Sequence, residues 1–352
     1  MTIRFALACS LAAWLVGCAT HQEQGTVLRT ALIESINARK HELAKASKEN
    51  APAEWARLAS NLGADISRLG KIDSNAPMLH EATNLFRSAI DAYSTSPSPY
   101  ASANTVGNLC STLVDLTKID GTPDRYLEAE KECRRAVAVP DEYQMLRSLR
   151  YRELGNILWS IGQLKKNHDY VREAISAYQS SLALQAQPRD MFEWARTQND
   201  LGSAFGYLGS REKNREMLLQ AVESFSRALG GWPQSRFPKS WATTQHNLGT
   251  AFLYLDDLEN HDMHLVRAEF AYREALKERG RDVPERRVET LRSLAKALLR
   301  LSKRDKEKSE AYDYEARNVL HEALDIALDV KRKQDAQPLV TKDLSRQTAP
   351  GP

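Results

Sequence analysis

A leucine returns along this chain at near-constant spacing: Leu62, Leu109, Leu154, Leu201, Leu248 and Leu294 are separated by 47, 45, 47, 47 and 46 residues. A period of this size restricts the chain to a tandem stack of similar units, each too small to hold its own core. The neighbouring columns agree with the marker. Four and seven residues on stand Ile66 and Leu69, Leu113 and Leu116, Leu158 and Ile161, Phe205 and Leu208, Phe252 and Leu255, and Leu298 and Leu301. Apolar residues at i, i+4 and i+7 share one face of a helix, so each marker sits on a helix, here helix A of its unit.

A second pattern follows each marker, reading Ala-x-x-x-aromatic-x-x-Ala-Leu. Its clearest copies are Ala221, Phe225, Ala228 and Leu229, then Ala268, Tyr272, Ala275 and Leu276. Looser copies run through Ala82 and Phe86 and through Ala174 and Tyr178. The spacing defines a helix B. The small residue after the marker, such as Gly202, lets the two helices approach while the ring of helix B packs beside it. The expected fold class is all-α: a solenoid of about six antiparallel helix hairpins over residues 53–328, with helix 25–49 capping its N-terminal end.

These motifs, Leu-Gly followed by an aromatic and then Ala-x-x-x-Phe/Tyr-x-x-Ala-Leu, resemble the tetratricopeptide repeat (TPR) family in a long-period variant. The family's usual unit is about 34 residues. The surplus here is expected in the A-to-B loop and in an extension of helix A marked by Trp55, Trp194 and Trp241. The resemblance implies a superhelix whose A helices line a concave groove for a protein or peptide.

Residues 1–17 have the form of an export signal, with Arg4 and an apolar run from Phe5 to Val16 too short to span a bilayer. Leu15-Val16-Gly17-Cys18 resembles the lipobox of bacterial lipoproteins. That resemblance implies cleavage before Cys18, acylation of Cys18 (the palmitate type of modification) and a lipid-anchored linker over residues 18–24. More than one acyl chain is what stable anchoring needs. Ala19 stands where an Asp would favour inner-membrane retention, so the expected location is the outer membrane, facing the periplasm. Residues 25–49 read as an amphipathic helix with Val27, Leu28, Leu32, Ile33 and Ile36 as its apolar positions. Residues 329–352 lose the periodicity and gain Pro, and read as a disordered tail.

The formal charge of +3 falls to +2 when Arg4 leaves with the signal, so no nucleic-acid partner is expected. Cys110 and Cys133 occupy the columns that elsewhere hold Gly and a ring. If those columns touch, a disulfide is geometrically reasonable in an oxidising compartment; the alternative is two buried thiols. His261-Asp262-Met263-His264 falls short of the ligand set a zinc site needs, so no metal and no cofactor are expected. No phosphate loop, nucleophile elbow or Cys/His pairing is present, so the chain does not read as an enzyme.

The remaining face of helix A is the candidate binding surface. It carries Arg152, Asn156 and Trp159 in the third repeat, Arg196, Asn199 and Tyr207 in the fourth, His246 and Tyr254 in the fifth, and Arg292 and Lys296 in the sixth. Donors for backbone and carboxylate, with rings for side chains, suit a peptide. Arg152 and Asn156 match the first pair of the carboxylate clamp that one TPR subfamily uses, but Asp200 and Thr243 stand where Asn and a basic residue should follow. The expected activity is therefore that of a scaffold holding a protein or peptide partner in a bacterial envelope. The alternative is a periplasmic module for a glycan or small ligand.

Overall fold

The structure is a computed structural model that describes residues 21–120, 122–138, 141–185, 190–280 and 284–335. Thirteen α-helices and one short 3-10 turn account for most of these residues, and none of them is in a strand. The helices are α1 (His21–Lys45), α2 (Pro52–Ile72), α3 (Ala76–Thr95), α4 (Pro99–Asp120), α5 (Pro123–Ala136), α6 (Gln144–Lys165), α7 (His168–Ala183), α8 (Met191–Glu212), α9 (Arg215–Gly231), α10 (Pro238–Glu259), α11 (Asp262–Glu278), α12 (Pro284–Arg304) and α13 (Ser309–Asp335). Helices α1–α7 belong to one compact unit and α8–α13 to a second. Within each unit three antiparallel hairpins stack in tandem, the arrangement of a TPR-like α-solenoid.

The Gly and ring columns touch. A Cβ placed on Gly63 would stand 2.9 Å from the Phe86 ring, on Gly155 2.5 Å from Tyr178, on Gly202 2.8 Å from Phe225, and on Gly249 2.9 Å from Tyr272. Each marker glycine is thus the floor on which the ring of its own hairpin lies. In the second hairpin Cys110 and Cys133 take the same two places as a disulfide with Cα atoms 5.1 Å apart.

The surplus length of the repeat lies in the helices and not in the A-to-B connections. The stretches read as loops are mostly the last turn of one helix and the first turn of the next. Glu212 ends α8 and Arg215 begins α9, so Lys213 and Asn214 make the whole turn. Lys213 takes a left-handed conformation (φ 51°), as do Lys166 (φ 52°) and Asn260 (φ 49°) at the same place. The next residue caps the following helix. Asn214 Oδ1 accepts from the Met217 N–H at 3.1 Å and Asn167 Oδ1 from Asp169 at 2.8 Å, while His261 Nδ1 accepts from Met263 at 3.2 Å. The Asn214 N–H returns to the Gly209 carbonyl at 2.9 Å, closing a Schellman-type turn. His261, weighed in the sequence as a metal ligand, is an N-cap.

The N-terminal helix runs over His21–Lys45, displaced from the expected 25–49, because the chain turns at Ser47, whose carbonyl and hydroxyl take the N–H groups of Ala51 and Asn50. It rests on α2 through Leu32 and Ile36 alone of its five apolar positions; Val27, Leu28 and Ile33 are 48%, 54% and 37% exposed. Arg29 on Asp73 and Arg39 on Asp65 fix its register. At the other end α13 extends to Asp335, past the expected boundary at 328. Residues 1–17, Cys18 and residues 336–352 lie outside the described residues.

Candidate functional site

Within each unit, successive A helices are joined by a seam of buried polar side chains, mostly hydroxyls and amides. Thr105, Thr197, Thr244 and Thr290 each stand four residues before a marker, and all are buried. Each donates to the carbonyl one turn back, as Thr290 does to Arg286 at 2.9 Å, so the hydroxyl is satisfied inside its own helix. In Thr105, Thr244 and Thr290 the same oxygen then meets the residue two before the marker on the preceding A helix. Ser60 lies 2.9 Å from Thr105, Asn199 Oδ1 3.1 Å from Thr244, and His246 Nδ1 3.2 Å from Thr290. Asn199 also accepts from Asn247 at 3.3 Å.

This seam changes the reading of part of the candidate surface. His246 and Arg152 are each 7% exposed and do not line an open face; His246 is turned toward Thr290 of the following A helix. His246 sits against the Tyr272 ring, centroids 5.5 Å apart, and 3.6 Å from the Glu289 carboxylate, which it holds below the usual carboxylate range. Burial raises the Tyr272 phenol well above its ordinary range; its hydroxyl lies 3.1 Å from Thr250. Arg279 closes the cluster, donating to the Arg286 carbonyl at 2.8 Å and to Thr290, and burial lowers its pKa to about 10. In the first unit Asn156 turns toward helix B and accepts from the Tyr178 hydroxyl at 2.9 Å.

Of the other candidates, Tyr254 packs against the core of the second unit, while Arg196, Arg292 and Lys296 are exposed. Trp159, Tyr207 and Tyr254 are half-buried, and the Arg211 guanidinium lies 5.6 Å from the Tyr207 ring centre. Arg196 is exposed and reaches Glu193 at 3.5 Å. Arg292 and Lys296 are exposed on α12, and with Leu299 and Lys303 they form a line along that helix at spacings of four, three and four residues. Elsewhere on α12 arginines are engaged: Arg287 pairs with Glu322 at 2.6 Å, Arg300 with Asp256 at 3.0 Å, and Arg304 with the same Asp256 at 2.6 Å. Among the described residues, Arg292, Lys296 and Lys303 have no such partner. The two units thus divide the candidates, with Arg152, Asn156 and Trp159 in the first and the rest in the second.

Sequence reading missed the threonine column, although Thr at the same offset in four of six repeats was a visible signal. It also missed Arg150, which replaces that Thr in the third repeat, and Arg279, which belongs to no repeat column. Among the described residues no group of three or more His, Cys, Asp or Glu is placed to hold a metal ion.

The hairpins and their seam define an α-helical repeat protein of TPR-like build. No protein-family model matches the sequence, and no curated protein sequence matches it. Solved structures similar to this chain include BtubC (BKLC) from P. vanneervenii, at 16% identity and a TM-score of 0.48 over 78% of this chain and 94% of that one. A putative kinesin light chain of Podosopora anserina with nearly identical TPR-like repeats is 16% identical, with a TM-score of 0.44 over 63% of this chain and 99% of its own. MamA is 16% identical, with a TM-score of 0.41 over 62% of this chain and 96% of its own.

Proposed function

We propose that this chain is a lipid-anchored scaffold of a bacterial cell envelope that holds a protein or peptide partner on the outward faces of its A helices. The observation that carries the reading is the line Arg292, Lys296, Leu299 and Lys303 on α12: three exposed cations without a partner among the described residues, around one exposed leucine. Such a line offers charge-assisted hydrogen bonds and an apolar contact to a segment laid along it. Anchoring rests on the sequence alone, on the apolar run Phe5–Val16 and the Leu15–Cys18 motif. The Cys110–Cys133 disulfide is in keeping with an oxidising compartment such as the periplasm.

Affinity capture from solubilised envelopes tests the surface. The Arg292→Glu/Lys296→Glu chain should lose the partners that the unaltered chain retains, and an unchanged partner set would remove the α12 surface from the proposal. Cys18→Ser tests the anchor separately: the chain should leave the membrane pellet, and its retention there would end the lipoprotein reading.

A further inference from the structure

Within the second unit α10 packs on α9 and α12 on α11, so each of these B helices is covered by the next A helix. On α11 the residues four and eight past Ala268 are Tyr272, fully buried in one cluster with Leu294, Ala297 and Leu298 of α12, and Leu276, packed against the cluster that holds Leu291. On α13 the same offsets from Ala316 hold Leu320 and Leu324, and no further A helix follows among the described residues. They stand 40% and 55% exposed, with Leu328 at 41% and Tyr314 at 66% beside them. An uncovered row of large apolar side chains on a terminal helix is a binding face in want of an occupant.

The pattern of the row indicates which occupant. Asp313, Arg317, Leu320, Leu324, Ala327 and Lys331 follow one another at spacings of four, three, four, three and four residues. That is an a/d heptad seam, the pattern of a helix that packs lengthwise on another helix. The seam is also self-complementary when reversed. Leu320 and Leu324 lie two residues either side of Glu322, and Asp313 and Lys331 nine residues either side. An antiparallel copy centred on Glu322 therefore sets Leu320 on Leu324, Arg317 on the small Ala327, and Asp313 on Lys331, with each pair made twice. The six positions span about 27 Å of helix, at 1.5 Å per residue. Parallel pairing would instead set Asp313 on Asp313 and Lys331 on Lys331.

We propose that a second copy of this chain covers α13, through a two-fold, isologous, antiparallel α13–α13 contact that buries Leu320 and Leu324 and pairs Asp313 with the partner's Lys331. The contact covers on α13 the face that α12 covers on α11. It is independent of the partner proposed for α12, because Arg292 and Lys296 are not in the seam.

Sedimentation equilibrium of the full chain in a density-matched detergent tests this. The unaltered chain should show a monomer–dimer equilibrium, and Leu320→Glu/Leu324→Glu should weaken the dimer at least about tenfold, a loss of roughly 1.4 kcal/mol. Asp313→Lys alone should weaken it, and Asp313→Lys/Lys331→Asp should restore it, which a merely structural role for either charge would not produce. A chain monomeric up to about 100 µM, or a dimer untouched by the leucine variant, overturns the proposal. So does a chain that dimerises only once residues 336–352 are removed, because the tail would then be the occupant.

Discussion

The guanidinium of Arg150 on α6 lies where the Cβ of residue 107 on α4 would be, and Gly107 is the only residue type that leaves it room. The two positions belong to the columns that elsewhere in the seam hold Thr and a small or polar partner. Here the pair has been exchanged as a unit, Arg for Thr on one helix and Gly for Ser, Asn or His on the other. Arg150 is 4% exposed, and its charge is met by Glu153 and by Asn104 Oδ1 at 2.7 Å.

The exchange predicts strong coupling. Gly107→Ser places side-chain atoms inside the guanidinium and should cost roughly 1–3 kcal/mol, as overpacking does. Arg150→Thr alone leaves a void beside Gly107 and removes the partner of Glu153. Together the two changes recreate the Ser60–Thr105 pairing, so the double variant should be more stable than the sum of the singles by about 1 kcal/mol or more. Urea unfolding of the four chains measures it, and additive losses would show that the columns are not equivalent.

The disulfide offers a second test of column equivalence. Cys110→Ser/Cys133→Ser removes the cross-link over a separation of 23 residues and should cost about 3 kcal/mol by loop-entropy reasoning. Cys110→Gly/Cys133→Phe instead installs the Gly-and-ring pair of the other hairpins. It should recover a substantial part of that loss, read as a higher thermal midpoint than the serine variant under the same conditions.

The hairpins were legible because they rest on apolar periodicity, which repeats in all six, and on a small residue facing a ring, which repeats in four of them from Gly63 and Phe86 onward. The turns were not, since Lys213-Asn214 and Lys166-Asn167 sit in polar stretches, and polarity alone does not separate the last turn of a helix from a loop. Orientation within the polar face of helix A was the harder matter. Asn199, His246 and Arg292 occupy one sequence column, yet the first two are spent on the following A helix while Arg292, on the last A helix among the described residues, is exposed. Which polar residue is structural thus depends on what stands beside it in space, and a single column does not carry that. The exposed row on α13 escaped for the same reason: Leu320 has the helix-B pattern, yet among the described residues no A helix follows to cover it.

Glycines of one helix pair should diverge under the same substitution. At Gly202 an added methyl group would stand 2.8 Å from the Phe225 ring, so Gly202→Ala should destabilise by roughly 1–3 kcal/mol. At Gly230 in α9 it would meet nothing within 4 Å, and Gly230→Ala should stabilise by about 0.5–1 kcal/mol through the lower backbone entropy of the unfolded chain. Thermal unfolding of both variants gives opposite signs if the marker glycine is a packing requirement and not a flexibility requirement.

Glu259, at the end of α10, accepts from His264 at 2.6 Å and pairs with Arg215 of α9, and these contacts, His264 first, hold its carboxyl below the usual range. A carboxyl whose folded pKa is depressed favours the folded state wherever it is ionised. Its contribution is therefore whole above the unfolded value, about 4.3 for Glu, and is lost as pH falls through the lower folded value. Glu259→Gln removes the titration while keeping a hydrogen-bonding side chain of the same size. The variant should be less stable than the unaltered chain near pH 7, and the difference between their melting temperatures should shrink as pH is taken below about 4.3. A difference that stays constant down to the acid transition would mean that Glu259 acts through packing and not through its charge.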